Sequence, residues 1–155
     1  MEIPLFEHAG ELTRALVNEE LGAIRFRAHR RGVKVWFTTA KPSRFHYEAQ
    51  LIPDRFGPGA GPDEATLEVG FHAEHGDERR NQAIIERLRA KEKTWRRALG
   101  SEAEAGVFLG NDHWGRLSET WIESDFEDPN LAFELASRLA DYIHTIQPLL
   151  DDIEI

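Results

Sequence analysis

Apolar and polar residues alternate one by one in four segments of the first half of the chain. This alternation predicts strands that bury one face, because successive side chains on a strand point to opposite sides of a sheet. The first segment starts at Ile24 and the second at Val33, and Gly32 between them fits the left-handed backbone of a tight hairpin. The third segment follows Arg44, and the fourth covers residues 67–73. We therefore expect four antiparallel strands with a common core-facing side.

Three other segments repeat their apolar residues every three or four positions, which is the period of an α-helix. Asp77 is placed to cap the second of these helices and Gly100 to end it. Pro148 lies inside the third repeat and predicts an end or a kink near Ile146. The predicted helices cover about 8–20, 77–99 and 128–146.

A weaker pair of strands is predicted between the second and third helices. Residues 107–109 are a short apolar run, 111–113 have the composition of a turn, and 114–123 favour a strand. Glu119 shares the parity of the apolar residues in that strand. A carboxylate facing the core needs an arginine or a backbone donor. We therefore expect this strand to be bulged there or to lie at the edge of the sheet.

The resulting order, α-β-β-β-β-α-β-β-α, is typical of the α+β class. It predicts an antiparallel sheet of about four to six strands with two long helices packed on one face. The length of 155 residues fits a single domain over 1–155. The longest irregular segment, 53–64, holds three prolines and three glycines. It is either a mobile connection or a functional flap.

Composition excludes several classes of protein. The chain has no cysteine, so disulfides, thiol nucleophiles and zinc–thiolate sites are excluded. No apolar run approaches the ~18 residues of a membrane span, and the first residues lack the layout of a signal peptide. We expect a cytoplasmic protein without membrane contact. Glycine-rich phosphate or dinucleotide loops and His-Glu-x-x-His are missing from the sequence, so no cofactor and no metal ligand is assigned.

Charge is unevenly distributed along the chain. The net charge of −9 argues against binding to nucleic acid, which depends on cations that displace phosphate counterions. Residues 76–100 carry eight basic against four acidic side chains, whereas 101–155 carry two against 13. The two regions could neutralise each other within one molecule or pair across a homodimer. Binding of nucleic acid through the basic helix 77–99 is the remaining alternative.

The polar positions of the first four strands fall together on the second face of the predicted sheet. This face leads to our main interpretation: a bacterial-type binding or accessory module without catalysis, which acts through the polar face and the Gly/Pro-rich loop on an unidentified small molecule or protein. Trp36 supports it, because a large aromatic ring among cations is typical of a ligand or partner surface. The candidate binding residues are Trp36, His46, Glu48, Glu68, His72, Arg25 and Arg27, accompanied on this face by Lys34 and Gln50.

Two other interpretations of the polar face stay open. The face could be an ordinary solvated surface with cross-strand ion pairs. It could instead be the active site of a small metal-dependent hydrolase or acid–base enzyme. The catalytic side chains would then be His46, Glu48, Glu68 and His72, which would have to converge within a few ångströms. His72 and His75 could share a metal only if the chain turns at Glu74.

Residues 65–150 combine an apolar strand, a basic helix that ends in glycine, a tryptophan-bearing strand and an amphipathic helix. This layout resembles small domains that accompany bacterial restriction-type nucleases. The resemblance rests on the order of elements and implies no role for any single residue.

Overall fold

The computed structural model describes residues 4–38, 44–53, 64–108 and 110–151. Within these residues the chain is α+β, with one six-stranded antiparallel sheet and four α-helices. The strands are β1 (Ile24–His29), β2 (Gly32–Phe37), β3 (Phe45–Ile52), β4 (Ala65–Ala73), β5 (Glu104–Phe108) and β6 (Asn111–Glu123). The helices are α1 (Leu5–Leu16), α2 (Glu78–Arg89), α3 (Glu92–Leu99) and α4 (Leu131–Asp151).

The strands lie in the order β1-β2-β3-β4-β6-β5, so the first four form the expected meander. The β1–β2 hairpin is confirmed, and its last pair joins His29 to Gly32. Gly32 has no positive φ, contrary to our reason for placing a turn there. Its role is spatial, since a Cβ atom would lie 2.8 Å from the carbonyl oxygen of Ala49 on β3.

The core lies on one face of the sheet, as the alternation predicted. Val33, Val35, Tyr47, Phe71 and Leu117 all point to this face and are at most 2% exposed. Helices α1 and α4 pack on β1 to β4 and on each other, and α2 packs on β5 and β6. The other face carries the polar positions.

The helix predicted over 77–99 is two helices. Asp77 caps α2 as expected, by accepting a hydrogen bond from the Arg79 amide. The break follows Arg89, because Trp95 turns back under the end of α2 and donates from Nε1 to the carbonyl of Leu88 at 2.7 Å. The fully buried indole anchors α3, which then packs on α4.

The other helix bounds also differ from those predicted. α1 runs over Leu5–Leu16 rather than 8–20, because Val17 is extended and a separate one-turn 3-10 helix follows at Glu19–Leu21. α4 continues through Pro148 instead of ending near Ile146. Pro148 lies in the last turn, where the loss of one backbone donor disrupts little of the helix.

The β5–β6 hairpin differs from the prediction at its turn and at Glu119. β6 begins at Asn111, so residues 111–113 are strand, and a bulge lies between Val107 and Phe108. Glu119 is not bulged, since it pairs regularly with Val69 on β4. β6 as a whole lies between β4 and β5, but its pairing with β5 ends at Ser118, one residue before Glu119. Its carboxylate meets α4, where it accepts from the Tyr142 hydroxyl at 2.8 Å and pairs with Arg138.

We expect Glu119→Ala to lower the free energy of unfolding by about 1–2 kcal/mol, because it leaves the Tyr142 hydroxyl and the Arg138 guanidinium without their acceptor. The measurement is urea unfolding followed by circular dichroism. Glu134→Ala, on the exposed side of α4, is the matched control. Equal stability of the two variants would contradict this role of the Glu119 network.

The structure tests the expectations for the Gly/Pro-rich loop and for membrane contact only in part. Residues 54–63 of the Gly/Pro-rich loop lie outside the described residues, so the choice between a flap and a passive connection stays a prediction. Among the described residues, no helix has both the length and the apolar character needed to cross a membrane.

Candidate metal centre

The polar face brings the four predicted acid–base residues together. His46 on β3 and His72 on β4 are direct cross-strand partners, and Gln50 lies opposite Glu68. Glu48 is opposite Gly70, so no neighbouring side chain separates its carboxylate from the histidines. The exposed fractions are 1% for His46, 8% for Glu48, 0% for Glu68 and 0% for His72. The solvated-surface interpretation is therefore wrong for these residues.

Glu74 is a member of the cluster that the sequence analysis missed. The sequence analysis placed the fourth strand over residues 67–73 and gave Glu74 no role. The Glu74 amide instead donates to the carbonyl of Arg44 at 2.6 Å, which extends the strand pairing by one residue. The signal was present in the sequence, because Glu74 continues the parity of Glu68 and His72.

Four side-chain atoms form a closed ring at the centre of the cluster. His46 Nε2 lies 2.9 Å from Glu48 Oε1 and 3.4 Å from Glu74 Oε2. His72 Nδ1 lies 3.3 Å from each of the same two carboxylate oxygens. No two of these four atoms are more than 4.8 Å apart. Histidine nitrogens and carboxylate oxygens therefore alternate around a space the size of one ion.

Glu68 fixes the orientation of His72, because it contacts Nε2 of the imidazole while Nδ1 faces Glu48 and Glu74. His72 Nε2 lies 3.0 and 2.9 Å from the two carboxylate oxygens of Glu68, so it carries a proton and donates it there. The Glu68 carboxylate also accepts from Gln50 Nε2 at 2.8 Å and from Ser118 Oγ at 2.6 Å. His72 Nδ1 is completely buried and makes no hydrogen bond, although it is aimed at Glu48 and Glu74.

The electrostatics of the cluster favour a positive charge at its centre. Burial tends to raise the pKa of Glu48, but the neighbouring His46 and His72 outweigh it and hold that pKa well below the ordinary value. At Glu74, burial is outweighed in the same way, and the pKa falls to about 2. Burial tends to lower the pKa of His72, whereas the Glu68 carboxylate and its neighbours raise it well above the ordinary value. The ring can therefore take either a proton on His72 or a metal cation.

Side chains of the β5–β6 hairpin pack beside His72. The Phe108 ring meets the His72 ring edge-on with centroids 4.6 Å apart, and Trp114 packs on Phe108 at 5.6 Å. Arg116 lies opposite His72 on β6 and donates to Ser118 Oγ at 2.9 Å. Hydrogen bonds thus run from Arg116 through Ser118 to Glu68. The sequence analysis did not single out these outer residues.

The remaining predicted binding residues lie on the same face but outside the ring. Arg25 pairs with Trp36 across β1 and β2, and Arg27 pairs with Lys34. The two arginines are exposed and Trp36 is half-buried. A metal shared by His72 and His75 required the chain to turn at Glu74. The Glu74 amide instead continues the pairing with β3, and His75 Nδ1 accepts from the Asp77 amide at 2.9 Å.

The chain was compared with protein-family models, with curated proteins and with solved structures, and none of the three comparisons found a match. The resemblance of residues 65–150 to domains that accompany restriction-type nucleases therefore stays a prediction.

Proposed function

We propose that this chain is a metal-binding protein that holds one transition-metal dication between His46, Glu48, His72 and Glu74. The observation that carries the proposal is the position of the buried Nδ1 atom of His72, which makes no hydrogen bond and lies 3.3 Å from one carboxylate oxygen each of Glu48 and Glu74. A buried polar atom without a hydrogen bond is rare in a native protein and indicates an unfilled role.

The spacing of the ring supports a metal ion as its occupant. Neighbouring atoms around the ring are 2.9, 3.3, 3.3 and 3.4 Å apart. Ligands at ~2.0–2.2 Å from one ion are ~3.0–3.5 Å apart when they occupy adjacent coordination positions. The side chains therefore need little movement to bind.

Glu68 supports the proposal independently of the spacing. Histidines that bind metals usually donate their second ring N–H to a carboxylate, which fixes the tautomer and makes the coordinating nitrogen more basic. His72 donates from Nε2 to Glu68 and presents Nδ1 to the ring in this way. The hydrogen bonds from Gln50 and Ser118 hold the Glu68 carboxylate in place.

The donor set indicates the class of ion. Two imidazole nitrogens and two carboxylate oxygens suit Zn²⁺, Mn²⁺, Fe²⁺, Co²⁺ or Ni²⁺, whereas Mg²⁺ and Ca²⁺ prefer oxygen ligands alone. The dication would also offset the negative charges of Glu48 and Glu74, the two carboxylates proposed to bind it in a largely buried site.

The experiment is a calorimetric titration of the metal-free protein with Zn²⁺, with Mg²⁺ as the control ion. We expect one Zn²⁺ per chain and a metal-dependent rise in stability, about 2.7 kcal/mol at a free ion concentration of 100 times Kd. Absence of saturable Zn²⁺ binding, or equal binding of Mg²⁺, would contradict the proposal.

We expect Glu68→Gln to weaken Zn²⁺ binding by about 10–100-fold while the ratio of one ion per chain is kept. The amide can still accept from His72 Nε2, but it lacks the negative charge that makes Nδ1 a strong ligand. Glu104→Gln is the matched control, since Glu104 is exposed and contacts Arg116 rather than a histidine. Equal Zn²⁺ affinities in both variants would show that Glu68 does not strengthen His72 as a metal ligand.

The metal centre relates to the earlier interpretations in different ways. The hydrolase interpretation shares His46, Glu48 and His72 with this proposal, but here Glu68 orients a ligand and Glu74 binds the ion. The non-catalytic module, the homodimer and nucleic-acid binding by the basic helices stay predictions. Each is compatible with a bound dication.

A further inference from the structure

Three cations lie beside the proposed metal centre on the same face of the sheet. Lys34 is the cross-strand partner of Glu48 on one side and of Arg27 on the other, and Arg25 lies two residues from Arg27 on β1. This register places Arg27, Lys34 and Glu48 in one row across three neighbouring strands, which are ~4.8 Å apart. The long side chains of the row can therefore reach the edge of the metal centre.

These cations lack the partners that such a surface normally provides. Opposite charges on neighbouring strands commonly pair. Glu48 instead directs its carboxylate to His46 and His72. None of the three cations forms an ion pair with a carboxylate in the part of the chain that the structure describes. The face thus keeps three positive charges free next to the ring.

Metal binding would change the net charge of this face. A bound dication adds positive charge to this face, on a protein whose overall net charge is −9. A dication with four protein ligands that accepts six-coordination also has two positions left for an added ligand.

We infer that the metal-loaded face binds an oxyanion, one oxygen of which coordinates the metal while the others accept hydrogen bonds from Arg27 and Lys34. The ligand class is a small molecule that carries a carboxylate or a phosphoryl group, the two groups that arginine recognises through paired hydrogen bonds. Trp36, which pairs with Arg25, supplies an apolar wall for the rest of the ligand. This inference rests on the proposed metal site and names its ligand.

The experiment uses the full chain loaded with one equivalent of Co²⁺, whose visible absorption reports changes in coordination. Inorganic phosphate and acetate are titrated separately. We expect at least one of them to change the spectrum saturably, and the tighter of the two identifies the preferred group. Metal-free protein, followed by calorimetry, is expected to bind neither anion, because it lacks both the extra charge and the coordinating ion.

Substitutions of Arg27 and Lys34 distinguish the contribution of these cations to anion binding from that of the metal. Arg27→Gln and Lys34→Gln are each expected to weaken anion binding about 10-fold, the effect of one charge-assisted hydrogen bond, with Co²⁺ affinity unchanged. Arg97→Gln, at an exposed position of α3, is the control and should bind as the unmodified chain does. A Co²⁺-loaded protein whose spectrum responds to neither anion, or equal anion affinity in all variants, overturns the inference but leaves the metal site standing. Failure of Co²⁺ to bind overturns both.

Discussion

Replacement of His72 by glutamine is expected to lower the affinity for Zn²⁺ by about 100-fold or more. The substitution removes a metal ligand, which costs more than the 10–100-fold loss typical of an outer hydrogen-bond partner. His72 is fully buried, and only its Nδ1 atom faces the ring while Nε2 is held by Glu68. Glutamine cannot satisfy both positions. Calorimetry against Zn²⁺, with circular dichroism to verify the fold, measures the effect.

The matched control for this prediction is His113→Gln, which alters an exposed histidine on β6 that contacts Glu78. We expect its Zn²⁺ affinity to equal that of the unmodified chain. His46→Gln removes the other histidine ligand, on β3, and should likewise lower the affinity for Zn²⁺. This variant tests the ligand set if the His72 variant does not fold. Full Zn²⁺ affinity in a folded His72 or His46 variant would refute the assigned ligand set.

The second large effect is expected for Gly70→Ala, which we predict to lower the free energy of unfolding by about 3 kcal/mol or more. A Cβ atom at Gly70 would lie 2.5 Å from Ser118 Cα and would also clash with the carbonyl oxygen of Leu117. Both clashes are with the backbone of β6, so relief requires the two strands to separate. Thermal unfolding of the metal-free protein should show a decrease in Tm of roughly 10 °C.

Gly76→Ala is the control for the Gly70 variant, because no atom lies within 4 Å of a Cβ atom there. Its Tm should change little. The Gly70 variant is also expected to lose Zn²⁺ affinity, since Gly70 lies between Glu68 and His72 on β4 and opposite Glu48. A Gly70 variant as stable as the control would show that β4 and β6 are not packed as closely as described.

The parity of side chains along the strands was the most informative property of the sequence. It predicted that His46 and His72 share a face, because each strand keeps a strict period of two and one face is rich in apolar residues. It also placed Glu48 and Glu68 correctly. The register between strands was not predictable from one sequence, so the direct pairing of His46 with His72 required the structure.

Features that depend on contacts distant in sequence were predicted less well. Glu119 has the parity of a core residue, and only the position of Arg138 and Tyr142 on α4 explains why a carboxylate is tolerated there. The break between α2 and α3 depends on a hydrogen bond from Trp95 to Leu88 that no periodicity reveals. Burial of His46, Glu48, Glu68 and His72 on the polar face was likewise unexpected, because a sheet with helices on one side ordinarily leaves its other side in water.

X-ray absorption at the zinc edge, on the full chain loaded with one equivalent of Zn²⁺, tests the ligand set most directly. We predict two imidazole nitrogens and two carboxylate oxygens in the first coordination shell, at ~2.0–2.2 Å from the ion. A spectrum without imidazole scattering, or the removal of all zinc by a single passage through a desalting column, would contradict the account.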